Sequence, residues 1–166
     1  MQLACPNNFQ TEIQIWYDYC MVWYSTDNFI GKVDNTIKYE ATDLTYAPDP
    51  ISYVESVKLL MDSLLYEANF LSKKSFGVRK IQLLNNPMLY GYFDCTLDIS
   101  AEDCTTCFTE AMRETELWCI TRRDCWVLTP SFNARFSRDP VHVDMVNAPL
   151  ITDNRYYGGS HSRGGF

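Results

Sequence analysis

The chain has 166 residues with a formal net charge of −7, and 46% of its residues are hydrophobic. This length and composition suit one ordinary globular domain, or a small domain with part of another. The acidic balance argues against a nucleic-acid surface, which needs clustered lysine and arginine, and against membrane binding by charge alone. The longest wholly apolar run is only a few residues, so no membrane span is predicted.

The seven cysteines are more than a typical cytosolic protein carries, which favours an oxidising compartment. The N-terminal residues 1–6 have neither the basic start nor the apolar stretch of a signal peptide. The cysteine count therefore favours export from the cytosol, whereas the N-terminal sequence does not. The odd count also leaves at least one sulfur unpaired within a monomer.

Residues 13–24 are dense in β-branched and aromatic side chains, which is typical of one long strand or a bent pair of strands. The next residues are polar and contain Gly31 and the proline-rich cluster Ala47–Pro50. We interpret residues 31–49 as a linker and as the domain boundary.

An amphipathic helix is predicted to begin at Asp49-Pro50, which supply an N-cap residue and a first-turn proline. Its end is expected near residues 72–74, where two lysines suit the negative end of the helix dipole. The apolar stripe recurs at steps of three and four residues: Val54, Val57, Leu60, Met61, Leu64, Leu65, Ala68 and Leu71.

A second helix is predicted after Ser100, which forms a capping-box pattern with Asp103. This helix places Cys104 and Cys107 one turn apart on its buried face. Strands are expected at 79–84, 88–95, 126–128, 132–137 and 141–146. The order predicts an α+β domain over residues 50–146, with an antiparallel sheet of about five strands and two helices packed on one face. Residues 147–166, rich in glycine, are expected to be a disordered tail.

One weak internal repeat aligns Cys20–Ser25 with Phe132–Ser137. Each segment ends a β-rich stretch. The alignment suggests that residues 1–30 are the C-terminal remnant of an earlier copy of the same domain.

Three chemistries remain open for the clustered cysteines. A disulfide from Cys95 to Cys104 needs a Cα separation of roughly 4.4–6.8 Å, which a turn between them allows. A zinc site would combine this helix pair, Cys104 and Cys107, with Cys119 and Cys125, although the spacing of the second pair is loose. A thioredoxin-type redox pair would need parallel βαβ surroundings, which the pattern lacks. We favour the disulfide framework and expect no metal or cofactor.

Other catalytic signals are weak. Of the two histidines, His142 lies in an alternating, strand-like segment and His161 in the predicted tail. The sequence contains no nucleophile elbow, phosphate loop or zinc-protease motif. We therefore expect no enzymatic activity. The aromatic residues of 13–24 have the residue types that stack on sugars, but we favour a core role for them.

The spacing Cys95-x8-Cys104-x2-Cys107, with Leu-Tyr-Gly-Tyr-Phe-Asp before it, resembles the plant ginkbilobin-homologous domain. This stress-antifungal, cysteine-rich repeat domain occurs in tandem in cysteine-rich receptor-like kinases, plasmodesmal proteins and secreted repeat proteins. The surrounding pattern matches over residues 50–138, and residues 5–29 are similar to the end of a first copy. The resemblance implies an N-terminally truncated tandem, with one remnant and one nearly complete copy.

The resemblance also implies a disulfide pattern. In the family the first two motif cysteines pair, which implies a Cys95–Cys104 bridge. The third normally bridges to a cysteine on the last strand, where this chain has Phe132. We therefore predict that Cys125 substitutes for it and bridges to Cys107. The pattern gives no partner within the chain for Cys5, Cys20 or Cys119.

Some relatives bind mannose through an Asn near the domain start, an Arg before the last cysteine and a Glu after it. The latter two positions hold Trp126 and Ser137 here, so no mannose site is transferred. The resemblance implies a non-enzymatic, extracellular-type recognition or structural module of a plant stress or defence family, with an unknown protein or glycan ligand. An antifungal, mannose-binding defence protein is the alternative. The implied location is extracellular, although the chain shows no signal peptide.

Overall fold

The computed structural model of the protein describes residues 12–17, 20–37, 39–66, 75–83, 87–140 and 143–151. The strands of this part are β1 (Glu12–Trp16), β2 (Met21–Ser25), β3 (Tyr39–Thr42), β4 (Phe76–Gln82), β5 (Met88–Cys95), β6 (Asp124–Leu128), β7 (Phe132–Ser137) and β8 (Leu150–Ile151). Its helices are α1 (Pro50–Tyr66), α2 (Ala101–Trp118) and α3 (Val143–Val146). Strands β1 and β2 form a hairpin, and the others form one six-stranded sheet in the order β3-β6-β7-β5-β4-β8.

The six-stranded sheet is antiparallel except at one edge, where β8 runs parallel to β4. Helices α1 and α2 pack on the same face of this sheet, which we call the inner face. The predicted α+β class is therefore confirmed, with one strand more than the five expected. The short helix α3 lies near β4 on the opposite face, where Lys80 Nζ donates a hydrogen bond to the carbonyl of Val146 over 2.7 Å.

The start of α1 follows from its cap. Asp49 accepts a hydrogen bond from the Tyr53 amide over 3.0 Å through its carbonyl, and its carboxylate accepts one from the Ser52 hydroxyl. The apolar stripe then buries Val57, Leu60 and Leu64 completely against the sheet. The predicted end of this helix near residues 72–74 lies outside the described residues.

A glycine brings α1 unusually close to the sheet. A Cβ atom built on Gly91, in the middle of β5, would lie 2.9 Å from Leu60 Cδ2 and 3.1 Å from Leu64 Cδ1. Carbon atoms rarely approach this closely, so a larger residue at position 91 would require the Leu60 and Leu64 side chains to shift.

Helix α2 begins at the predicted cap, where Ser100 Oγ accepts a hydrogen bond from the Asp103 amide over 3.1 Å. Its residue Phe108 makes edge-to-face contacts with Phe93 and Phe132, at ring-centroid distances of 5.2 and 5.7 Å. All three rings are buried. This aromatic cluster joins α2 to β5 and β7, and it is the centre of the core.

The hairpin is the bent pair of strands that the sequence allowed for residues 13–24. It is closed by a hydrogen bond from the Tyr17 amide to the Cys20 carbonyl over 2.8 Å. Ile13 pairs with Tyr24, and Gln14 pairs with Trp23. Trp23 also stacks on Phe29, with ring centroids 4.0 Å apart.

Three predictions about segments need correction. Residues 39–42, within the predicted linker 31–49, form β3 and pair with β6, because four residues suffice for an edge strand. Residues 150–151, within the predicted tail 147–166, form β8 and pair with β4. The strand predicted at 141–146 is wrong, since residues 143–146 form α3. An alternating run this short fits one helical turn equally well.

The predictions for Cys5, His142, His161 and the tail beyond residue 151 lie outside the described residues. Within the described part, no helix combines the length and apolar character that crossing a membrane requires.

Candidate functional site

The candidate site lies on the sheet face opposite α1 and α2, which we call the outer face. Because side chains alternate along a strand, the residues beside the core positions Phe93, Ala134 and Val127 point to this face. Strand register sets them in one row: Tyr92 pairs with Arg135, and Arg135 pairs with Trp126. Four of the six sheet strands contribute to this face near Trp126, since Ala41 of β3 completes the row.

Hydrogen bonds fix the aromatic side chains of this row. Trp126 Nε1 donates to Asn133 Oδ1 over 2.7 Å, and the Tyr92 hydroxyl donates to the same oxygen over 3.2 Å. Burial, reinforced by the nearby Asp94 carboxylate, raises the pKa of Tyr92 to about 12. The hydroxyl therefore stays protonated at physiological pH and remains a donor, which holds both rings in place.

An ion pair fixes the next part of the row. Arg135 Nε and Nη2 donate to the two carboxylate oxygens of Asp124 over 3.0 and 2.5 Å. Both side chains are about four-fifths buried, so this two-point contact is shielded from solvent. The Arg135 guanidinium also lies 5.3 Å from the centre of the Trp126 ring, and Tyr39 meets that ring edge-on at 5.8 Å.

A cavity of about 360 Å³ opens where β6 begins and β7 ends; we call it the polar pocket. Its wall includes Trp126 and the Asp124–Arg135 pair. Four further charged residues line it: Asp43, Arg123, Arg138 and Asp139. Hydrogen bonding from Thr45, followed by the charges of Arg123 and Arg122, lowers the pKa of Asp43 below its usual value. The pocket therefore holds ionised groups of both signs.

Two arginines of the polar pocket have no carboxylate partner. Within the described part of the chain, neither Arg123 nor Arg138 has a carboxylate oxygen within 4.0 Å, and Arg138 Nε is buried without an acceptor. The neighbouring Arg122 also has a buried Nε without an acceptor, but its Nη1 donates to the Leu44 carbonyl over 2.8 Å and its guanidinium covers the Tyr46 ring. Arg123 and Arg138 are thus the guanidiniums lining this pocket that form no ion pair with a carboxylate of the described chain.

A second, more apolar cavity of about 690 Å³ separates the β1–β2 hairpin from the outer face. Aromatic and aliphatic side chains of both parts line it, including Trp16, Tyr17, Met21, Tyr92 and Trp126. Trp126 therefore borders both cavities. The exposed thiol of Cys20 also lines this cavity.

Two disulfides hold the ends of α2. Cys95 at the end of β5 is bonded to Cys104 in the first turns of α2, with an S–S distance of 1.92 Å. Cys119, directly after α2, is bonded to Cys125 in β6, with an S–S distance of 2.01 Å. In both bridges the Cα atoms are 5.8 Å apart. The sheet and α2 are therefore linked covalently at both ends of the helix.

The predicted Cys107–Cys125 bridge is not formed. At about 1.5 Å per helical residue, Cys107 lies roughly 16 Å along α2 from its last residue, next to Cys119. Cys125 is bonded to Cys119, so its Cα is well beyond the roughly 7 Å limit from Cys107. The zinc ligand set is likewise not assembled, because three of its four candidate cysteines lie in two separate disulfides.

Cys107 is a free thiol, 1% exposed, on the inner side of α2. Burial raises the pKa of this thiol to about 11. A nucleophilic or metal-binding cysteine needs its thiolate form, which such a pKa disfavours at neutral pH. Cys107 therefore has the surroundings of a core residue.

The two positions discussed for mannose, Trp126 and Ser137, both line the polar pocket. Ser137 is buried, and its hydroxyl accepts a hydrogen bond from the Asp139 amide over 3.1 Å. Sequence reasoning did not single out Arg123, Arg138 or the Asp124–Arg135 pair. The available signal was charge clustering: Arg123-Asp124 shortly precedes the strand predicted at 126–128, and Arg138-Asp139 follows the strand predicted at 132–137. A hairpin brings those two ends together.

Comparison with known proteins identifies the family. The family model for salt stress response/antifungal proteins matches residues 39–139, and the chain belongs to this stress-antifungal family, as the cysteine spacing predicted. The match begins at the first residue of β3.

The chain is 32% identical to an antimicrobial ginkbilobin-2-like protein of Castanea crenata, over 82% of this chain and 55% of that protein. It is also 32% identical to cysteine-rich repeat secretory protein 55 of Arabidopsis thaliana, over 86% of this chain and 54% of that protein. A match to cysteine-rich receptor-like protein kinase 26 of the same species, at 28% identity, covers 91% of this chain and 24% of the kinase. The chain thus spans about half the length of the first two relatives.

Solved structures show the same fold. The crystal structure of the tandem DUF26 ectodomain of the Arabidopsis thaliana cysteine-rich receptor-like protein PDLP8 matches with a TM-score of 0.65 and 19% identity, over 76% of this chain and 57% of that chain. That of PDLP5 matches with a TM-score of 0.53 and 15% identity, over 63% of this chain and 50% of that chain. The fold is that of a cysteine-rich module found in plant secretory and receptor-like proteins.

Proposed function

We propose that the chain is a non-enzymatic, extracellular-type recognition module of a plant stress or defence family, and that it binds its ligand on the outer face around Trp126. The observation that carries this proposal is the fixed row of Trp126, Arg135 and Tyr92. These side chains are oriented by a two-point ion pair and by hydrogen bonds to one amide oxygen. A row fixed in advance loses little side-chain entropy on binding.

The two cavities support the same location. The polar pocket and the apolar cavity meet at Trp126, and pockets of 300–1,000 Å³ with a few oriented polar groups are typical ligand sites. A tryptophan between a polar and an apolar region can contact a ligand with its ring while its N–H stays bonded to the protein.

An extracellular location is supported by the two disulfides and by relatives whose names describe them as secretory. We propose a non-enzymatic role because the oriented polar groups of the row, Asn133, Arg135 and Asp124, are engaged in fixing one another and the neighbouring rings. The ligand class that we propose is a protein or a glycan.

A mannose-binding, antifungal role is a second candidate. It is favoured by the position of Trp126 and Ser137 in the polar pocket, beside a guanidinium and a carboxylate from Arg135 and Asp124. These groups differ in sequence position from those that the family resemblance calls for, so this role ranks second.

The test is a glycan array and a panel of plant extracellular peptides, followed by calorimetry on each ligand found. Trp126→Ala should weaken binding at least tenfold. The control Ile51→Ala removes an exposed apolar side chain on α1, 78% exposed, and should leave binding unchanged. Unchanged ligand affinity in the Trp126→Ala variant would refute the proposed site. Chemical conversion of a bound ligand, detected by mass spectrometry, would refute the non-enzymatic role.

A further inference from the structure

We infer that the apolar cavity between the β1–β2 hairpin and the outer face binds a small organic cation, a protonated amine attached to an apolar ring system. This inference goes beyond the proposed function, because it names a second ligand in a cavity that the proposed protein or glycan ligand does not need to enter. It follows from the size of the cavity, from the side chains of its two walls and from the sign of the charges at its mouth.

The size and walls of the apolar cavity suit a small ring compound. Its volume of about 690 Å³ lies within the roughly 300–1,000 Å³ that is typical of sites for small organic ligands. The hairpin contributes Trp16, Tyr17 and Met21 to one wall, and the outer face contributes further aromatic rings, such as Tyr92, to the other. A flat ring between these walls would bury both of its faces in apolar surroundings.

Strand register places a carboxylate among the apolar side chains of the outer wall. Asp94 of β5 pairs with Phe76 of β4, and all of the residues named here line the cavity. Tyr92, the next outer-face position of β5, pairs with Val78. Burial, and after it the charge of Asp94, raises the pKa of the Tyr92 hydroxyl to about 12, so the carboxylate acts on this ring directly. A cation beside Asp94 would therefore be attracted by an anion and by aromatic rings together.

The charged side chains of the apolar cavity have one sign. Among the residues that the structure describes, the charged ones that line it are Asp94 of β5 and Asp144 of α3, whereas no lysine, arginine or histidine lines it. Both aspartates are exposed, so their carboxylates lie where the cavity opens to solvent. An ammonium group would stay partly hydrated there while the rings attached to it enter the cavity. The mouth of the cavity is thus complementary in charge to a cation.

The two cavities differ in this respect. The polar pocket on the other side of Trp126 is lined by arginines and aspartates together, and its Arg135 packs against the Trp126 ring without lining the apolar cavity. The apolar cavity therefore discriminates between ligands by charge. An anion would be repelled at its mouth, and a neutral ring compound would gain no electrostatic attraction there. An amine without rings would leave the apolar walls unfilled.

The test compares four matched ligands at pH 7 by calorimetry on the whole chain. Tryptamine carries an indole ring and an ammonium group, tryptophol carries the same ring with a neutral hydroxyl, indole-3-propionate carries the ring with a carboxylate, and ethylammonium carries the charge without a ring. We expect tryptamine to bind about tenfold more tightly than tryptophol, since each exposed ion pair adds about a two- to fivefold gain in affinity. Indole-3-propionate and ethylammonium should bind more weakly than tryptophol. Raising the NaCl concentration should reduce the advantage of tryptamine.

Two variants and a matched control locate the ammonium group. Asp94→Asn and Asp144→Asn keep the shape of the side chains, and each should weaken tryptamine binding about two- to fivefold. Tryptophol binding should stay unchanged in both, which also shows that the variants are folded. The control Asp62→Asn removes an exposed carboxylate of α1, on the other side of the sheet, and should leave both ligands unaffected. Trp16→Ala removes part of the hairpin wall and should weaken both ligands.

The exposed thiol of Cys20 gives a second readout, because it lines the same cavity. A ligand in the cavity covers this thiol, and the reactivity of a cysteine depends on its exposure. In a Cys5→Ser background, saturating tryptamine should slow the labelling of Cys20 by iodoacetamide at least about twofold. Ethylammonium at the same concentration should not. Equal labelling rates with and without tryptamine would contradict its binding in this cavity.

Several results of the calorimetry would overturn the inference. Tryptophol or indole-3-propionate binding as tightly as tryptamine would show an apolar site without charge selection. Tryptamine binding that is unchanged in both aspartate variants would place the amine elsewhere. Basic peptides that bind in an Asp94-dependent way, without binding of tryptamine, would show a protein interface instead.

Failure of the inference and failure of the proposed function can be told apart. The proposed function is tested by the loss of protein or glycan binding in Trp126→Ala, and none of the results above affects it. Tryptamine binding that depends on Asp94, with no protein or glycan ligand that depends on Trp126, would support the inference and refute the proposed function.

Discussion

The two faces of the sheet are formed by the same strands, but their side chains are held in place by different interactions. On the inner face Phe93, Phe136 and Val127 are at most 1% exposed and belong to the hydrophobic core. On the outer face the adjacent positions Tyr92 and Trp126 are half-buried and held by hydrogen bonds. Close packing of apolar side chains therefore stabilises the inner face, whereas hydrogen bonds fix the side chains of the outer face. Substitutions on the two faces should therefore lower the free energy of unfolding by different amounts.

The largest effect is expected for Phe108→Ala on the inner face. This change removes the ring that contacts both Phe93 and Phe132, and emptying such a buried aromatic site costs about 3–5 kcal/mol. Urea denaturation gives the free energy of unfolding.

The matched change on the outer face is Tyr92→Phe, which removes one hydroxyl hydrogen bond. It should cost about 0.5–1.5 kcal/mol. Equal losses for the two variants would contradict the distinction between the faces.

The next effect is expected for loss of the bridge between α2 and β6. Closing a loop as short as Cys119–Cys125 restricts the unfolded chain by about 2–3 kcal/mol. The paired substitution Cys119→Ser and Cys125→Ser should lower the free energy of unfolding, measured by urea denaturation, by that amount.

The Cys95→Ser, Cys104→Ser pair serves for comparison, since its loop is nearly as short. The two paired variants should therefore lose similar stability. A negligible loss for Cys119 and Cys125 would show that this bridge does not form in solution.

A smaller effect is expected for Gly91→Ala, which places a methyl group in the closest helix–sheet contact. Overpacking of this kind costs about 1–3 kcal/mol. The cause can be separated from backbone effects by a double-mutant cycle with Leu60→Ala, which removes the two nearest of the three crowding atoms. We expect a favourable coupling above about 0.5 kcal/mol, and additive losses would contradict the contact.

Removing the Asp124–Arg135 ion pair is a second test of how much the outer face contributes to stability. Asp124→Asn keeps the shape of the side chain but removes the charge of a shielded, two-point ion pair, and we expect a loss of about 1 kcal/mol. The control is Glu116→Gln, which removes the half-exposed Lys58–Glu116 pair and should cost less than about 0.5 kcal/mol. Denaturation in low and high salt should distinguish the two, since only the exposed pair is strongly screened.

The last and smallest expected effect is on the chemical reactivity of Cys107, because burial raises the pKa of its thiol to about 11. Only about one molecule in a thousand carries the thiolate at pH 8, so iodoacetamide should label Cys107 very slowly in the folded protein. In a Cys5→Ser, Cys20→Ser background the labelling rate should rise about tenfold per pH unit up to that pKa.

The same shift predicts a pH dependence of stability. The folded state holds the thiol proton more tightly than the unfolded chain, whose ordinary pKa is 9.0, so this contribution is fully present below pH 9 and is lost as the pH rises towards 11. Rapid labelling of Cys107 at pH 8 without denaturant would contradict its burial.

Much of the fold was predictable because the inner face imposes a strict pattern. The alternation in residues 88–95 and 132–137 predicted β5 and β7 with the limits that the structure has. The caps at Asp49 and Ser100 likewise predicted where α1 and α2 begin. The edge strands β3 and β8 were not predicted, since four and two residues carry too little periodicity, and tertiary pairing decides their conformation.

The site was harder to predict than the core. Trp126 was considered only as a substitution in a mannose-binding pattern, and Cys125 was assigned to Cys107 because the family pattern has a different bridge. The pairing of Cys119 with Cys125 depends on where α2 ends, which its sequence leaves open. The polar pocket depends on the register of β6 against β7, and register is a property of the assembled sheet.

The order of the strands also has a consequence for local opening. The hairpins β4–β5 and β6–β7 join neighbours along the chain, whereas β3 reaches β6, and β8 reaches β4, only after long intervening segments. Pairing strands that are distant along the chain costs loop-closure entropy, so we expect these edges to close late in folding and to open readily under native conditions. The polar pocket lies at the β3 edge, with Ala41 and Thr42 in its wall. A ligand bound there would therefore hold this edge closed, and its binding energy would be coupled to the stability of the pairing between β3 and β6.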